Sequence, residues 1–331
     1  MKIVSWNLRN ISLNKLGNAF SPTFNAYGLG NNVLDYVSAL VMGAARWNAI
    51  PNLTTNPADI FVMIELKTGG SQKGQAVSGN CLPALNAVVA ALNTLVGIRY
   101  PNNQNPPYQY AYATPLVIGR NETVGIIYNT VSVKLLSATA FRNYNNQKWI
   151  NPRSPFGAMF QVKANNVAFQ VVGLHAPPPK GAAALKYRPP IDYCVQLPTT
   201  IPAGMANSFF MGDFNCNPAS TYTNGAGTVV APFTGLPAYV TQIPNGTLSS
   251  VRVKVASANP APANYLSDAF DNIIYNDPIP VANVQQLVVD TIGGARNMNV
   301  VPIVNIPNAN LTGVLNAYNR VSDHLPVAME W

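Results

Sequence analysis

Charged side chains are scarce in this chain of 331 residues. Asp, Glu, Lys and Arg together make up 10% of it, whereas hydrophobic residues make up 48%. A disordered protein or a coiled coil needs far more charge or a regular heptad pattern, so both classes are excluded. The composition is that of a globular protein with a large apolar core, and the length allows one large domain or two smaller ones.

Cysteine and long apolar runs are also scarce. Cys81, Cys194 and Cys216 lie far apart and show no C-x-x-C spacing, so neither a disulfide framework nor a structural zinc site is expected. No stretch approaches the ~20 apolar residues of a membrane span, and the apolar run at the N-terminus is too short for a signal peptide. We therefore expect a soluble protein, either cytoplasmic or exported by a route that needs no N-terminal signal.

Basic residues outnumber acidic residues by 20 to 12, which gives a net charge of +8 and a pI of about 9.4. Such a charge favours an anionic partner, for example nucleic acid or an acidic membrane surface. The chain has only two histidines and three glutamates, so acid–base or metal chemistry can occur at few places.

Short runs rich in β-branched and aromatic residues predict buried strands along the whole chain. They cover residues 2–6, 60–64, 124–128, 168–174, 208–211, 273–275 and 326–331. Segments rich in Pro, Gly and Asn predict loops and hairpins between them, at residues 101–107, 177–181 and 217–262.

Apolar residues at helical spacing predict helices between these strands. The pattern predicts one amphipathic helix over residues 31–48, behind Asn capping residues, a second over 82–95, and a weaker one over 191–197. Strands early, two helices, then many strands favour one α+β domain in which helices cover stacked sheets.

Polar residues stand at the ends of the predicted strands. Four of them follow an apolar run and three precede one, and antiparallel neighbours would bring both kinds of end to the same edge of a sheet. The first group is Asn7, Glu65, His175 and Asp213, and the second is Asp271, Asp323 and His324. Asn215 lies two residues after Asp213, so both side chains would face the same way in an extended chain.

These residue types suit one kind of chemistry. Carboxylates and an amide are hard oxygen donors, which favour Mg²⁺ or Mn²⁺ over zinc. Hydrolysis of a phosphodiester needs a group that activates water, a group that protonates the leaving oxygen, and a cation that neutralises charge on the phosphoryl oxygens. Two histidines beside such a cation would supply these functions.

Six short segments carry these residues. In chain order they are 5–7 (SWN), 64–67 (IELK), 174–177 (LHAP), 212–215 (GDFN), 270–273 (FDNI) and 322–326 (SDHLP). Their order resembles that in the endonuclease/exonuclease/phosphatase superfamily, and the chain looks most like its pancreatic-type deoxyribonuclease branch. The resemblance covers residues 1–331, and its most specific part is SDHLP together with the upstream GDFN. It implies an α+β fold, a four-layer α/β/β/α sandwich with two packed mixed β-sheets flanked by helices, as a single domain.

The resemblance implies where metal and phosphate bind. Asn7 and Glu65 would bind the divalent metal, Mg²⁺ or Mn²⁺, with Asp323 close by. Asp213 and Asn215 would orient the water and the scissile phosphate. Binding of Ca²⁺ in structural loops is left open.

The resemblance also implies the acid–base groups. His324 would act as general base or phosphate clamp, and His175 as general acid. Asp271 would support Asp213 and Asn215 in orienting the water and the phosphate. In the pancreatic branch a glutamate holds the acid histidine; Glu122 fits that place and would leave His175 oriented and more basic. The sequence does not settle which histidine is the acid and which is the base.

Two basic residues would contact the substrate. Arg153 matches a phosphate-contacting arginine, and Lys67 would reach a nucleic-acid backbone. The chain departs from the pattern at Ile64, where many relatives carry Gln, and at Phe270, where the pancreatic branch has Tyr. These changes would remove a hydrogen bond near the metal ligand and a hydroxyl near the phosphate.

The first interpretation is a divalent-metal-dependent phosphodiesterase, a DNA endonuclease with little sequence preference, and RNA remains open as a substrate. A second interpretation keeps the fold and the site but takes a phosphoinositide or a sphingomyelin-type head group. A third, of another class, is a catalytically silent binding module. The nuclease would also fit use as a toxin or effector, with an inhibitor or immunity protein as partner. The oligomeric state is not predicted.

Overall fold

The computed structural model describes residues 1–19, 31–43, 56–68, 76–77, 81–118, 122–141, 143–144, 147–148, 153–176, 197–203, 205, 207–217, 220–223, 226–231, 240–241, 247–252, 254, 265–276, 285–288 and 311–330. In these residues the strands are β1 (Lys2–Ile11), β2 (Ile60–Lys67), β3 (Tyr110–Ala113), β4 (Glu122–Asn129), β5 (Val133–Ala140), β6 (Asn143–Tyr144), β7 (Gln147–Lys148), β8 (Phe156–Val162), β9 (Ala168–His175), β10 (Ser208–Asp213), β11 (Tyr222–Thr223), β12 (Val229–Val230), β13 (Val240–Thr241), β14 (Asp271–Asn276), β15 (Gln285–Val288) and β16 (Val327–Glu330). The helices are α1 (Leu13–Leu16), α2 (Val33–Val41), α3 (Cys81–Arg99) and α4 (Leu311–Val321), with a 3₁₀ helix at Leu197–Thr200.

Two six-stranded mixed sheets form the centre of the fold. The strand order is β15-β16-β1-β2-β4-β3 in the first sheet and β13-β14-β10-β9-β8-β5 in the second. The pairs β1–β2 and β9–β10 are parallel, and the other pairs are antiparallel. In each sheet two parallel strands therefore end at one edge, and a neighbouring antiparallel strand begins at that same edge.

An apolar layer lies between the two sheets. It includes Val62 and Val124 of the first sheet and Phe169 and Met211 of the second, all buried. Gly173 of β9 faces this layer, and a Cβ there would lie 2.5 Å from the Cγ1 of Val124. Glycine at this position therefore lets the two sheets approach closely.

Helices cover the outer face of the first sheet. Their buried side chains pack against residues of β1 and β2 such as Trp6 and Phe61, so this face forms a second apolar layer. The outer face of the second sheet packs Phe210 and Ile274 against Leu197 of the 3₁₀ helix. The arrangement is the four-layer α/β/β/α sandwich predicted from the resemblance.

Helix α3 corrects the expectation that no stretch approaches a membrane span. Over its 19 residues it is long and apolar enough to cross a membrane by length and composition alone. In the structure, buried side chains such as Leu85, Val88 and Leu92 face the first sheet and pack into its outer apolar layer. The apolar side chains on this face of α3 therefore form part of the core of the fold.

Helix α2 begins as the sequence predicts. Asn32 has extended dihedral angles and its Oδ1 accepts a hydrogen bond from the main-chain N–H of Asp35 at 2.9 Å. This is the geometry of a helix N-cap, in which a side-chain oxygen satisfies one of the unpaired first-turn donors.

We expect Asn32→Ala to lower the free energy of unfolding by about 1 kcal/mol, because the cap is lost. Urea unfolding of the whole chain would measure it. The matched control is Asn86→Ala, on an exposed position within α3, where alanine is the better helix former and should not destabilise. Equal stability of Asn32→Ala and the unaltered protein would contradict the cap.

The seven predicted strands are confirmed, as are the helices at the start of 31–48 and over 82–95. The elements that were not predicted include the strands β3, β5, β8 and β15, the short hairpin of β6 and β7, and the helices α1 and α4. Most of the helix predicted over 191–197 and the loop at 177–181 lie outside the described residues.

Candidate active site

The predicted functional side chains meet at one edge of the two sheets. Asp213 is the last residue of β10; it pairs with His175, the last residue of β9, and with Asp271, the first residue of β14. The parallel and antiparallel neighbours of β10 thus bring three ionisable side chains to one point. The first sheet adds Asn7 from β1 and Glu65 from β2.

A bulge between β1 and β2 positions Asn7 and Glu65. Strand β1 carries three residues, 8–10, opposite the single Glu65 of β2. Arg9, Asn10 and Glu65 have positive φ values of 46°, 55° and 62°, a conformation that is uncommon for residues other than glycine. The main-chain N–H of Arg9 donates to the Oδ1 of Asn7, and that of Asn10 to the Oε2 of Glu65, each at 3.0 Å. The bulge therefore fixes both side chains through main-chain donors.

Lys15 of α1 is bonded to this bulge. Its Nζ donates to the carbonyl of Leu8 at 2.6 Å and to that of Arg9 at 2.5 Å. Burial lowers the pKa of Lys15 to about 8, although Asp323 opposes this shift. The Nε of Arg9 in turn lies 3.4 Å from the Oδ2 of Asp323, so this segment also contacts the loop before β16.

Asp213 is the centre of the site. It is 2% exposed. Its Oδ2 accepts the Nδ2–H of Asn7 at 3.2 Å and lies 3.4 Å and 3.7 Å from the Nε2 atoms of His175 and His324. Burial is the largest influence on Asp213 and raises the pKa of its carboxyl, while the two imidazoles oppose it. The protonation of Asp213 therefore depends on the protonation of both imidazoles.

His175 is held by Glu122. The imidazole Nδ1 lies 3.3 Å from the Oε2 of Glu122, whose Oε1 is 2.6 Å from the Nε of Arg153. Arg153 also donates through Nη1 to the carbonyl of Ala176 at 3.0 Å. Burial alone would lower the pKa of His175, but Glu122 and Asp213 raise it. Burial would raise the pKa of Glu122, but His175 and Arg153 outweigh burial and lower it.

His324 is held by Asp271. The imidazole Nδ1 lies 2.7 Å from the Oδ2 of Asp271. Burial would lower the pKa of His324, but Asp271 and Asp213 outweigh it and raise the value to about 10. The main-chain N–H donates to the Oγ of Ser322, and the carbonyl accepts the Nε1–H of Trp6, both at 2.9 Å. Both histidines therefore bring Nδ1 to a carboxylate and Nε2 towards Asp213.

Three predicted residues surround this centre. Asn215 is 7% exposed, and its Nδ2 donates to the carbonyl of Ala176 at 2.8 Å. Asp323 carries a buried Oδ1 that accepts no hydrogen bond within the described part of the chain. Lys67 is exposed at the end of β2, opposite Glu122 in register, so the residue lies at the margin of the site.

The donor atoms fit a divalent cation. The ligand atoms of Glu65, Glu122 and His175 lie within 4.8 Å of one another. Glu122 is already paired with Arg153 and His175. Glu65, whose Oε1 accepts the Nδ2–H of Asn7 at 3.3 Å, is therefore the carboxylate best placed to take an ion, and the Oδ1 of Asn7 accepts the main-chain N–H of Arg9. Carboxylate and amide oxygens are ligands that Mg²⁺ and Mn²⁺ prefer.

The residues predicted from the sequence thus come together in one cluster at this edge of the two sheets, with Lys67 at its margin. Their individual roles stay predictions. Two residues of the site, Lys15 and Ser249, were not predicted from the sequence; Ser249 donates to the carboxylate of Asp271. Neither residue has a sequence signal, because each acts on a segment that only the fold places beside it.

No protein-family model matches the chain, and no curated protein matches it in sequence. Among solved structures, the chain has the fold of endonuclease/exonuclease/phosphatase family proteins. One from Leptotrichia buccalis C-1013-b superposes with a TM-score of 0.51 at 12% identity, over 100% of this chain and 98% of that one. One from Bacteroides thetaiotaomicron gives 0.50 at 15% identity, over 99% and 96%. The resemblance drawn from the six segments is confirmed at the level of the fold.

Proposed function

We propose that the protein is a divalent-metal-dependent phosphodiesterase, a DNA endonuclease with little sequence preference. One observation carries the proposal: the Nε2 atoms of His175 and His324 both face the buried Oδ2 of Asp213, at 3.4 Å and 3.7 Å. Two imidazoles around one carboxylate provide a proton acceptor and a proton donor within a few ångströms of each other. In-line displacement at phosphorus requires both.

Each residue of the site has a distinct role in the reaction. One imidazole takes the proton of the attacking water at its Nε2, and the other gives a proton to the leaving oxygen. Asp213 and Asn215 orient the water and the phosphate between them. Glu65 and Asn7 would hold the metal, which when bound stabilises the charge that develops on the phosphoryl oxygens. Arg153 contributes a fixed positive charge beside His175.

The distribution of charge favours a polyanionic substrate. Five of the twelve acidic residues lie in the site: Glu65, Glu122, Asp213, Asp271 and Asp323. The rest of the chain therefore has seven acidic residues, whereas the whole chain has twenty basic ones. A chain that is basic apart from an acidic site would attract a nucleic acid, and a cation at that site would position the backbone.

Nicking of supercoiled plasmid with Mg²⁺ or Mn²⁺ tests the proposal. We expect activity that is abolished by EDTA and restored by either metal. Glu65→Gln should lower the rate at least about 100-fold, because it removes the charged metal ligand. Glu330→Gln is the matched control: Glu330 lies at the end of β16 and accepts the Nδ2–H of Asn56 at 2.8 Å.

Other outcomes would replace the proposal. The protein could instead release phosphate from inositol phospholipid, or phosphocholine from sphingomyelin, without nicking plasmid. That result would show that the substrate is a lipid head group. Binding of DNA without hydrolysis under any metal would indicate a silent binding module. Toxicity on cytosolic expression that is lost with Asp213→Ala would support use as a toxin.

A further inference from the structure

Ser249 lies in the segment that precedes β14, and it is fully buried. Its Oγ donates a hydrogen bond to the Oδ2 of Asp271 at 2.7 Å. The same Oγ accepts the main-chain N–H of Asp271 at 2.9 Å. One hydroxyl therefore fixes both the carboxylate and the backbone of this residue.

The oxygen that Ser249 contacts is the one that holds a histidine. The Oδ2 of Asp271 accepts from Ser249 and lies 2.7 Å from the Nδ1 of His324. A serine hydroxyl has a single proton to donate. The carboxylate at 2.7 Å is a much closer acceptor than the carbonyl of Asp268 at 3.5 Å, so the proton goes to the carboxylate. The side chains of Ser249, Asp271 and His324 thus form a chain of hydrogen bonds that ends near Asp213.

The main chain of His324 does not depend on this hydroxyl. Its carbonyl accepts the Nε1–H of Trp6 at 2.9 Å and the hydroxyl of Tyr318 at 2.7 Å. Its N–H donates to the Oγ of Ser322 at 2.9 Å. Loss of the Ser249 hydroxyl would therefore leave the backbone of His324 in place and loosen only Asp271, whose carboxylate holds the ring at 2.7 Å.

We propose that Ser249 is a positioning residue, which orients the imidazole of His324 through the carboxylate of Asp271. The inference rests on the proposed function and deepens it, because it adds a residue that governs the hydrolytic step without touching substrate. A hydrogen-bonded carboxylate that holds a catalytic histidine keeps the ring in one tautomer and one orientation. Removing a group that orients such a residue costs about 10- to 100-fold in activity.

The kinetic test is Ser249→Ala with Mg²⁺ and plasmid or bis(p-nitrophenyl) phosphate as substrate. We expect kcat to fall about 10- to 100-fold, with KM almost unchanged. The matched control is Ser250→Ala: Ser250 is the next residue, is 8% exposed, and its Oγ has no hydrogen-bond partner among the described residues. It should keep the kcat of the unaltered protein.

A double-mutant cycle tests the route of the effect. If Ser249 acts through Asp271, then Ser249→Ala should add little to the loss caused by Asp271→Asn, so the two effects are not additive. Additive effects would overturn the proposal. If urea unfolding shows that Ser249→Ala is not folded, Ser249→Cys is used instead. Cysteine keeps a weak hydrogen-bond donor, so the expected loss of kcat is smaller.

An NMR measurement is independent of activity. The chain has two histidines, so substituting one of them is enough to assign the ring N–H signals of both. We expect Ser249→Ala to shift the Nδ1–H signal of His324 and to leave that of His175 unchanged. A failure to hydrolyse phosphodiesters would refute the proposed function, whereas an unshifted His324 signal or an unaltered kcat would refute the role of Ser249.

Discussion

Replacing either histidine with alanine is expected to lower the kcat of phosphodiester hydrolysis about 10²- to 10⁴-fold, the usual contribution of a general acid or base. Both imidazoles bring Nε2 close to the Oδ2 of Asp213, at 3.4 Å for His175 and 3.7 Å for His324. Carboxylates raise the pKa of both rings. The position of each ring is therefore fixed, so that one can take up a proton and the other can release one close to Asp213.

Two substrates would show which histidine is the acid. DNA leaves as a sugar alkoxide that needs a proton, whereas p-nitrophenolate leaves without one. The variant that lacks the general acid should lose activity on plasmid and keep much more of it on bis(p-nitrophenyl) phosphate. The variant that lacks the general base should lose activity on both.

The control for these variants is Thr94→Ala on α3, whose hydroxyl is exposed and bonds only locally, to the carbonyl of Ala90. Urea unfolding would show that His175→Ala and His324→Ala remain folded. Wild-type rates for both variants on both substrates would refute the acid–base roles. The double variant should lose little more than the worse single one, because the two groups act in the same step.

Gly212→Ala is expected to destabilise the protein by about 3 kcal/mol or more, through backbone strain and a steric clash. Gly212 has a φ of 134°, and a Cβ there would lie 2.1 Å from the carbonyl oxygen of Leu174. Gly212 and Leu174 are paired residues of β10 and β9. The clash could be relieved only by moving one of these strands away from the other. Because His175 and Asp213 are the next residues, the variant should also lose activity.

Two other glycines separate the strain from the clash. Gly227 has a φ of 79° and no atom within 4 Å of a built Cβ, so Gly227→Ala should cost about 1–2 kcal/mol, from the conformation alone. Gly97 lies near the C-terminal end of α3 with open space around it, so Gly97→Ala should stabilise by about 0.5–1 kcal/mol. Urea unfolding of the three variants would measure these values. If Gly212→Ala cost no more than Gly227→Ala, the clash would be absent.

The strands that carry the site could be predicted because each is a short apolar run that ends in a polar residue. Residues 208–211 and 168–174 are buried on both faces, so their runs are nearly continuous and easy to recognise. The N-cap of α2 was also predicted, because Asn32 acts on its own helix. Local signals of this kind need no knowledge of the rest of the fold.

The elements that were missed carry local signals that are interrupted. In α4, for example, Leu311, Leu315 and Tyr318 recur at helical spacing. Strand β5 is an edge strand with a register irregularity between Leu135 and Ser137, so its alternation is broken. Strand β8 contains Gly157, where Phe141 packs. Helix α4 contains Gly and Asn, which are poor helix formers, and its buried Leu315 and Tyr318 pack into the layer on the first sheet. Tertiary packing outweighs propensity in each case.

The amino-acid sequence by itself determined the chemical inventory of this protein: two imidazoles, a few carboxylates at strand ends and a basic remainder. Only the tertiary structure decided which of these groups touch. Asn7 and Asp213 are 206 residues apart and their side chains are 3.2 Å apart, and no local pattern encodes that contact. Apolar runs specify that a strand is buried, but the neighbours of a strand are chosen by the packing of both sheets together.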